Sequence, residues 1–139
     1  MVTRVLVDTN VLVSFLVDRS ADQRRRAAAL IHASADPDRH LLLHSLVLAE
    51  LAFVLRSIYE REATEVSEIL RRFLELPGAE TVERTPWPEL LELWPTRIPD
   101  FLDASLAAVA LELRPDAVAT FDRAFARRLR TLGLSTDWP

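Results

Sequence analysis

At 139 residues the chain has the length of one ordinary domain, 1–139, able to bury a sizeable core. Half of its residues are hydrophobic and none is cysteine, which excludes disorder as the default state along with thiol catalysis, disulfides and cysteine-ligated zinc. The net charge of -4 argues against a generally basic nucleic-acid binder, yet all 17 basic residues are arginine, which grips phosphate through two parallel hydrogen bonds. No apolar run approaches the ~20 residues of a bilayer span. Met1-Val2-Thr3-Arg4 leads into a strand rather than a secretory signal, so a cytoplasmic location with no membrane partner is expected.

Val2 to Val7 reads as a buried parallel strand, short, β-branched and almost free of charge. Asn10 to Val17 reads as a short helix entered through Thr9 or Asn10, both acceptable caps. A second helix, Asp22 to Ala35, sets Ala28, Leu30 and Ile31 against Arg24, Arg25 and Arg26, and Asp36-Pro37-Asp38 breaks it. Leu41-Leu42-Leu43 is a second strand. Ser45 is expected to cap a third helix from Leu46 to about Tyr59. A fourth, from about Ala63 to Leu76, stops at Pro77-Gly78, and the two read as an antiparallel pair. Glu80 to Glu83 fits a short strand, and Pro88 to Trp94 a short helix with proline in its first turn. Asp100 is expected to cap a helix reaching Leu113. Ala117 to Thr120 is a strand, Arg123 to Leu132 a helix stopped by Gly133, and Leu134 to Thr136 a last strand. Strands alternating with helices predict an α/β fold: a parallel sheet of four to five strands with helices on both faces.

Four acids stand out against this frame. Asp8 and Asp122 each follow a strand, where ligands bind in parallel α/β sheets. Glu50 lies within the apolar stripe of Val47, Leu51, Val54, Leu55 and Ile58, and Asp103 shares a helix face with Leu106, Ala107 and Ala110. Each has a plainer reading: Asp122 as a helix cap, Asp103 as a complement to the helix dipole, Glu50 as a stripe-edge side chain reaching solvent. Together they predict a cluster. Carboxylates gathered without a counter-charge repel one another and resist ionisation. A divalent cation removes the conflict, and all-oxygen ligation suits Mg²⁺ or Mn²⁺. Such a site polarises a phosphoryl oxygen and generates hydroxide from bound water, which is phosphodiester hydrolysis chemistry.

The same residues resemble the PIN-domain ribonucleases, and most closely the VapC-type toxins of type II toxin–antitoxin pairs. Val7-Asp8-Thr9-Asn10 is similar to the family's opening motif. Ser45-Leu46-Val47-Leu48-Ala49-Glu50-Leu51 is similar to its second, Asp103-Ala104-Ser105-Leu106-Ala107-Ala108 to its third, and Thr120-Phe121-Asp122-Arg123-Ala124-Phe125 to its fourth. No single motif is specific; four in order within one small domain carry the resemblance. It implies a three-layer α/β/α sandwich and a Mg²⁺- or Mn²⁺-dependent endoribonuclease. Asp8, Glu50, Asp103 and Asp122 would hold metal and carry catalysis, with Asn10, Ser45 and Thr120 in support through hydrogen bonds. It also implies an RNA substrate and a homodimer neutralised by a cognate antitoxin, in a heterotetramer or larger complex. Asp100, one turn before Asp103, is an additional acid easily mistaken for the ligand.

His32, His40 and His44 lack paired metal-ligand spacing and read as surface or structural. Trp87, Trp94 and Trp138 read as packing residues, and the arginines of 24–26, 71–72 and 127–130 as solvated helix faces. Arg123, beside Asp122, is best placed to meet RNA. Two other classes compete: a catalytically silent PIN-like module binding RNA or protein, and a receiver-like domain phosphorylated on Asp8. The latter wants a lysine near its last strand, and this chain has none.

Overall fold

The structure is a computed structural model and describes residues 1–137; Trp138 lies outside the described residues. Five parallel strands form one sheet: β1 (Thr3–Val7), β2 (Arg39–His44), β3 (Ala79–Val82), β4 (Ala117–Ala119) and β5 (Thr136–Asp137), in the order β3-β2-β1-β4-β5. Seven helices connect them among the described residues: α1 (Thr9–Leu16), α2 (Ala21–Ala33), α3 (Ser45–Ser57), α4 (Ala63–Leu74), α5 (Trp87–Leu93), α6 (Phe101–Leu113) and α7 (Arg123–Thr131). The chain steps from β1 outward through β2 to β3, then crosses back to β4 and continues to β5. Right-handed crossovers therefore put α1–α4 over one face and α5–α7 over the other. The helix contacts agree: α1 packs on α2 and α3, α3 on α4, and α5 on α6. The result is an α/β/α sandwich.

The three central strands, β2, β1 and β4, are apolar because both their faces are covered. Leu6, Val7, Leu42, Leu43, Val118 and Ala119 are all buried. Leu12 of α1 and Leu51 and Leu55 of α3 close one side. Leu90 of α5, Leu106 and Val109 of α6, and Phe125 and Leu129 of α7 close the other. Buried Ala104, Ala107, Ala108 and Ala110 let α6 lie close against its neighbours. Gly78 is required at the start of β3, since a Cβ there would stand 2.3 Å from the carbonyl oxygen of Arg39.

Several ends differ from the sequence expectation. Helix α1 starts at Thr9 and is capped by Asp8, whose Oδ1 accepts from the Thr9 amide at 2.8 Å, rather than by Thr9 or Asn10. Helix α2 starts at Ala21 under Ser20, one residue before Asp22. Ser45 is not the cap of α3 but its first helical residue; the cap is His44. Its Nδ1 accepts from the Leu46 amide at 3.1 Å, while Nε2 lies 3.1 Å from the Arg84 carbonyl oxygen and 3.3 Å from the Thr85 hydroxyl. Strand β3 begins at Ala79, a residue earlier than the pattern suggests, because the Leu41 amide already bonds the Gly78 carbonyl oxygen. Leu134 is not in β5. Its amide bonds back to Leu129 in the turn after α7, so bonding to β4 starts only at the Ser135 carbonyl and the strand at Thr136.

His44 is fully buried, and burial lowers its pKa, so it works as a neutral ring that accepts at one nitrogen and donates at the other. His44→Ala leaves the Leu46 amide and the Arg84 carbonyl unmatched and is expected to cost about 2–3 kcal/mol in urea unfolding. His44→Asn keeps an acceptor for Leu46 and should lose visibly less. Wild-type stability in both variants would contradict this role.

Candidate active site at the carboxyl ends of the strands

β1 and β4 are neighbours, and the connections leaving them run over opposite faces of the sheet. This is the switch point at which open parallel sheets bind ligands. Pairing of Val7 with Ala119 sets Asp8 beside Thr120, and the Asp8 amide bonds the Ala119 carbonyl oxygen at 2.9 Å.

Thr120 is the hub of this edge. Its hydroxyl donates to Asp8 Oδ2 at 2.8 Å and accepts from the Asp122 amide at 3.1 Å and from Asn10 Nδ2 at 3.2 Å. Asn10 Nδ2 also donates to Asp8 Oδ2 at 3.0 Å, and Asn10 Oδ1 accepts from the Phe121 amide at 3.0 Å. Asp8 is thus buried with both oxygens held. Asp122 is exposed at the start of α7, and its Oδ1 accepts from the Phe125 amide at 3.0 Å. It is both the helix cap of the plainer reading and a member of the edge.

Glu50 approaches from α3 and Asp103 from α6, each half-buried, from helices over opposite faces. The electrostatics tie all four acids together. Asp8 is pushed up to about 6, first by burial, against the hydrogen bonds of Thr120 and Thr9, and further by the charges of Glu50 and Asp122. Asp103 is pushed up to about 8, first by burial and then by Asp8, Asp100, Asp122 and Glu50. The charges that act on Asp103 are all those of acids, and among the described residues its carboxylate makes no hydrogen bond. Asp100 serves as the expected cap of α6, with Oδ1 accepting from the Asp103 amide at 2.9 Å.

The donor set is all hard carboxylate oxygen with an uncompensated negative field, which fits Mg²⁺ or Mn²⁺ in chemistry. As the side chains stand, no three histidine or acidic groups among the described residues are close enough to enclose one ion. A cation would have to draw them inward or bind partly through water. Ser45 lies half-buried at the first position of α3, and its hydroxyl makes no hydrogen bond among the described residues; His44 takes the cap. Sequence reasoning missed His44 as the residue that fixes the start of the helix bearing Glu50; the only signal was a polar side chain ending an apolar strand. Of the tryptophans, Trp94 packs edge-on against Phe101 and donates to the Pro99 carbonyl, while Trp87 is half exposed.

The raised carboxyls set a pH dependence. A carboxyl that ionises less readily in the folded state stabilises the fold below its ordinary pKa of 3.8, and that gain is lost as pH rises towards about 8. Metal-free protein should therefore lose stability between pH 4 and pH 8. Asp103→Asn removes the repulsion without breaking a hydrogen bond, so it should raise the melting temperature at pH 8 by a few degrees and flatten the decline. Asp8→Asn presents an amide where Thr120 and Asn10 donate, and should give no such gain. Thermal unfolding across pH in the presence of a chelator checks both.

The PIN domain family model matches residues 5–129. No curated protein matches the chain. Among solved structures, VapC20 of Mycobacterium tuberculosis, described as a sarcin-ricin loop cleaving toxin, aligns with TM-score 0.71 at 20% identity, over 97% of this chain and 99% of its own. PAE2754 of Pyrobaculum aerophilum aligns with TM-score 0.64 at 22% identity, over 95% of each chain. VapBC2 of Rickettsia felis, solved bound to a DNA fragment from its promoter, aligns with TM-score 0.66 at 17% identity, over 97% of this chain and 98% of the other. These structural likenesses show a shared fold. With the family model covering most of its length, the chain belongs to the PIN domain family.

Proposed function

We propose that this protein is a metal-dependent endoribonuclease that hydrolyses RNA phosphodiester bonds, and that it is the toxin of a toxin–antitoxin pair. The observation that carries the reading is the electrostatic convergence of acids from four separated segments on one edge, with Asp103 acted on by the other three. In this reading Asp8, Glu50, Asp103 and Asp122 are the catalytic acids and hold Mg²⁺ or Mn²⁺. When bound, the cation polarises a phosphoryl oxygen and lowers the pKa of a bound water. Thr120 and Asn10 fix the Asp8 carboxylate against rotation. Ser45, at the first position of α3, supports the site by hydrogen bonding, and Arg123 contacts a phosphate of the RNA beside Asp122.

The relatives support the toxin assignment by what they are. VapC20 is described as a toxin that cleaves the sarcin-ricin loop, and VapBC2 was solved on promoter DNA. The partners proposed here are an RNA substrate, a second copy of the chain in a homodimer, and a cognate antitoxin that completes a heterotetramer or larger complex in the cytoplasm. One observation favours the alternative, a catalytically silent module: the acids as placed do not yet enclose an ion.

Purified protein incubated with an RNA panel and Mn²⁺ separates the two. Cleavage is expected to stop with EDTA and to fall at least about 100-fold in Asp8→Asn and Asp103→Asn, and about 10–100-fold in Thr120→Ala. Cleavage that survives unchanged in Asp8→Asn, or no cleavage with intact binding, would overturn the nuclease reading.

A further inference from the structure

Arg19 lies in the turn between α1 and α2, one residue before the Ser20 cap of α2. The residue is exposed, yet its side chain folds back along α1. Its Nη2 donates to the Ser14 hydroxyl at 2.8 Å and to the Asn10 carbonyl oxygen at 3.2 Å. Asn10 and Ser14 are four residues apart on one helix, so their oxygens share a face and a single amino group reaches both. Ser14 is buried, and its hydroxyl donates in turn to Gln23 Oε1 of α2 at 3.4 Å. A long side chain loses rotamer freedom when it is held in this way.

A neutral acceptor alone does not mark Arg19, since Arg56, Arg128 and Arg130 also donate to neutral oxygens. What marks it is which residue accepts. The Asn10 side chain donates to Asp8 Oδ2 and to Thr120, and accepts from the Phe121 amide. The guanidinium is therefore fixed to the backbone of a residue that builds the acidic edge. Its charge is not engaged by that edge: the charges that act on Asp8 and Asp103 are those of acids. The cation stands beside the pocket. Its Nε and Nη1 make no hydrogen bond among the described residues and remain for an anion brought to the edge.

The acidic edge by itself repels a polyanion, and a substrate with a phosphate backbone needs a cationic contact close by. We propose that Arg19 is a substrate-binding residue, its guanidinium meeting a phosphate of the RNA strand adjacent to the one that is cut. The proposal rests on the ribonuclease reading above and deepens it. Helix α1 lies over one face of the sheet and α7, which carries Arg123, over the other, so the strand is held on both sides of the acidic edge. Anchoring through Nη2 spares much of the freedom that a loose arginine loses on binding. The contact from Nη1 or Nε to phosphate is a charge-assisted hydrogen bond, the stronger kind.

Steady-state cleavage with Mn²⁺ over a range of salt tests this, on whichever RNA of the panel the wild type cuts. Arg19→Gln retains an amide donor for the Asn10 carbonyl and the Ser14 hydroxyl but carries no charge. It should raise KM about 10-fold with kcat within about twofold of wild type, as expected of a contact made equally in the ground and transition states. The dependence of log(1/KM) on log salt should become shallower by about 0.7, the share of one phosphate contact on a single strand. Arg19→Lys restores the charge and should recover the wild-type slope and most of KM. Arg25→Ala on α2, which removes an arginine paired with Asp22 on its own helix, should match wild type throughout. Unchanged KM and slope in Arg19→Gln overturn the proposal alone, whether or not the melting temperature falls, since the residue would then only brace the turn. The same shallow slope in Arg19→Lys, or an equal change in Arg25→Ala, overturns it as well. No cleavage of any RNA by the wild type overturns the ribonuclease reading and this proposal with it.

Discussion

Repulsion among carboxylates is the constraint on which the rest of this molecule turns. Asp8 and Asp103 are held where burial and neighbouring negative charge both oppose their ionisation. A fold selected for stability alone has no reason to bring an acid from each of two strand ends and two helices onto one edge. Structural carboxylates elsewhere in the chain are treated differently. Asp22, Glu65 and Glu68 are exposed and matched to arginine, and Asp116 accepts from the Arg4 amide. At the edge of β1 and β4, by contrast, the charges acting on Asp8 and Asp103 are themselves negative.

The scaffold explains how that unfavourable arrangement persists. The apolar strands and the helices over both faces supply the burial, and the network around Thr120 locks the one acid that lies deepest. That network joins β1 to β4 across more than a hundred residues of sequence, so the sheet order and the site are one feature. On the far side of β1, His44 ties the start of α3 to the segment after β3 through both ring nitrogens. The helix that carries Glu50 therefore starts from a fixed point.

Much of this was legible in the sequence, for physical reasons that differ by residue. Asp8 and Asp122 could be read because an acid directly after a short β-branched strand has few structural uses. Glu50 and Asp103 could be read because helical periodicity places them among apolar neighbours. Their convergence could not be read from periodicity: it requires β4 to return beside β1, and strand order is a long-range property that short motifs do not encode. The family resemblance supplied it. The caps were misjudged for a related reason. Asp8 and His44 each end a strand and start a helix with the same side chain, and local preference assigned that duty to Thr9, Asn10 and Ser45 instead. The fully buried ring of His44 bonds residues 40 positions away, which no local pattern announces.

The central claim is that these acids form one coupled pocket that a divalent cation neutralises. Isothermal titration of Mn²⁺ into the protein at pH 7, repeated in buffers of different ionisation enthalpy, tests it directly. With Asp103 raised to about 8 and Asp8 to about 6, binding should release close to one proton, chiefly from Asp103, and Asp103→Asn should abolish most of that release. Mn²⁺ binding with no proton release, or no binding at all, would contradict the account.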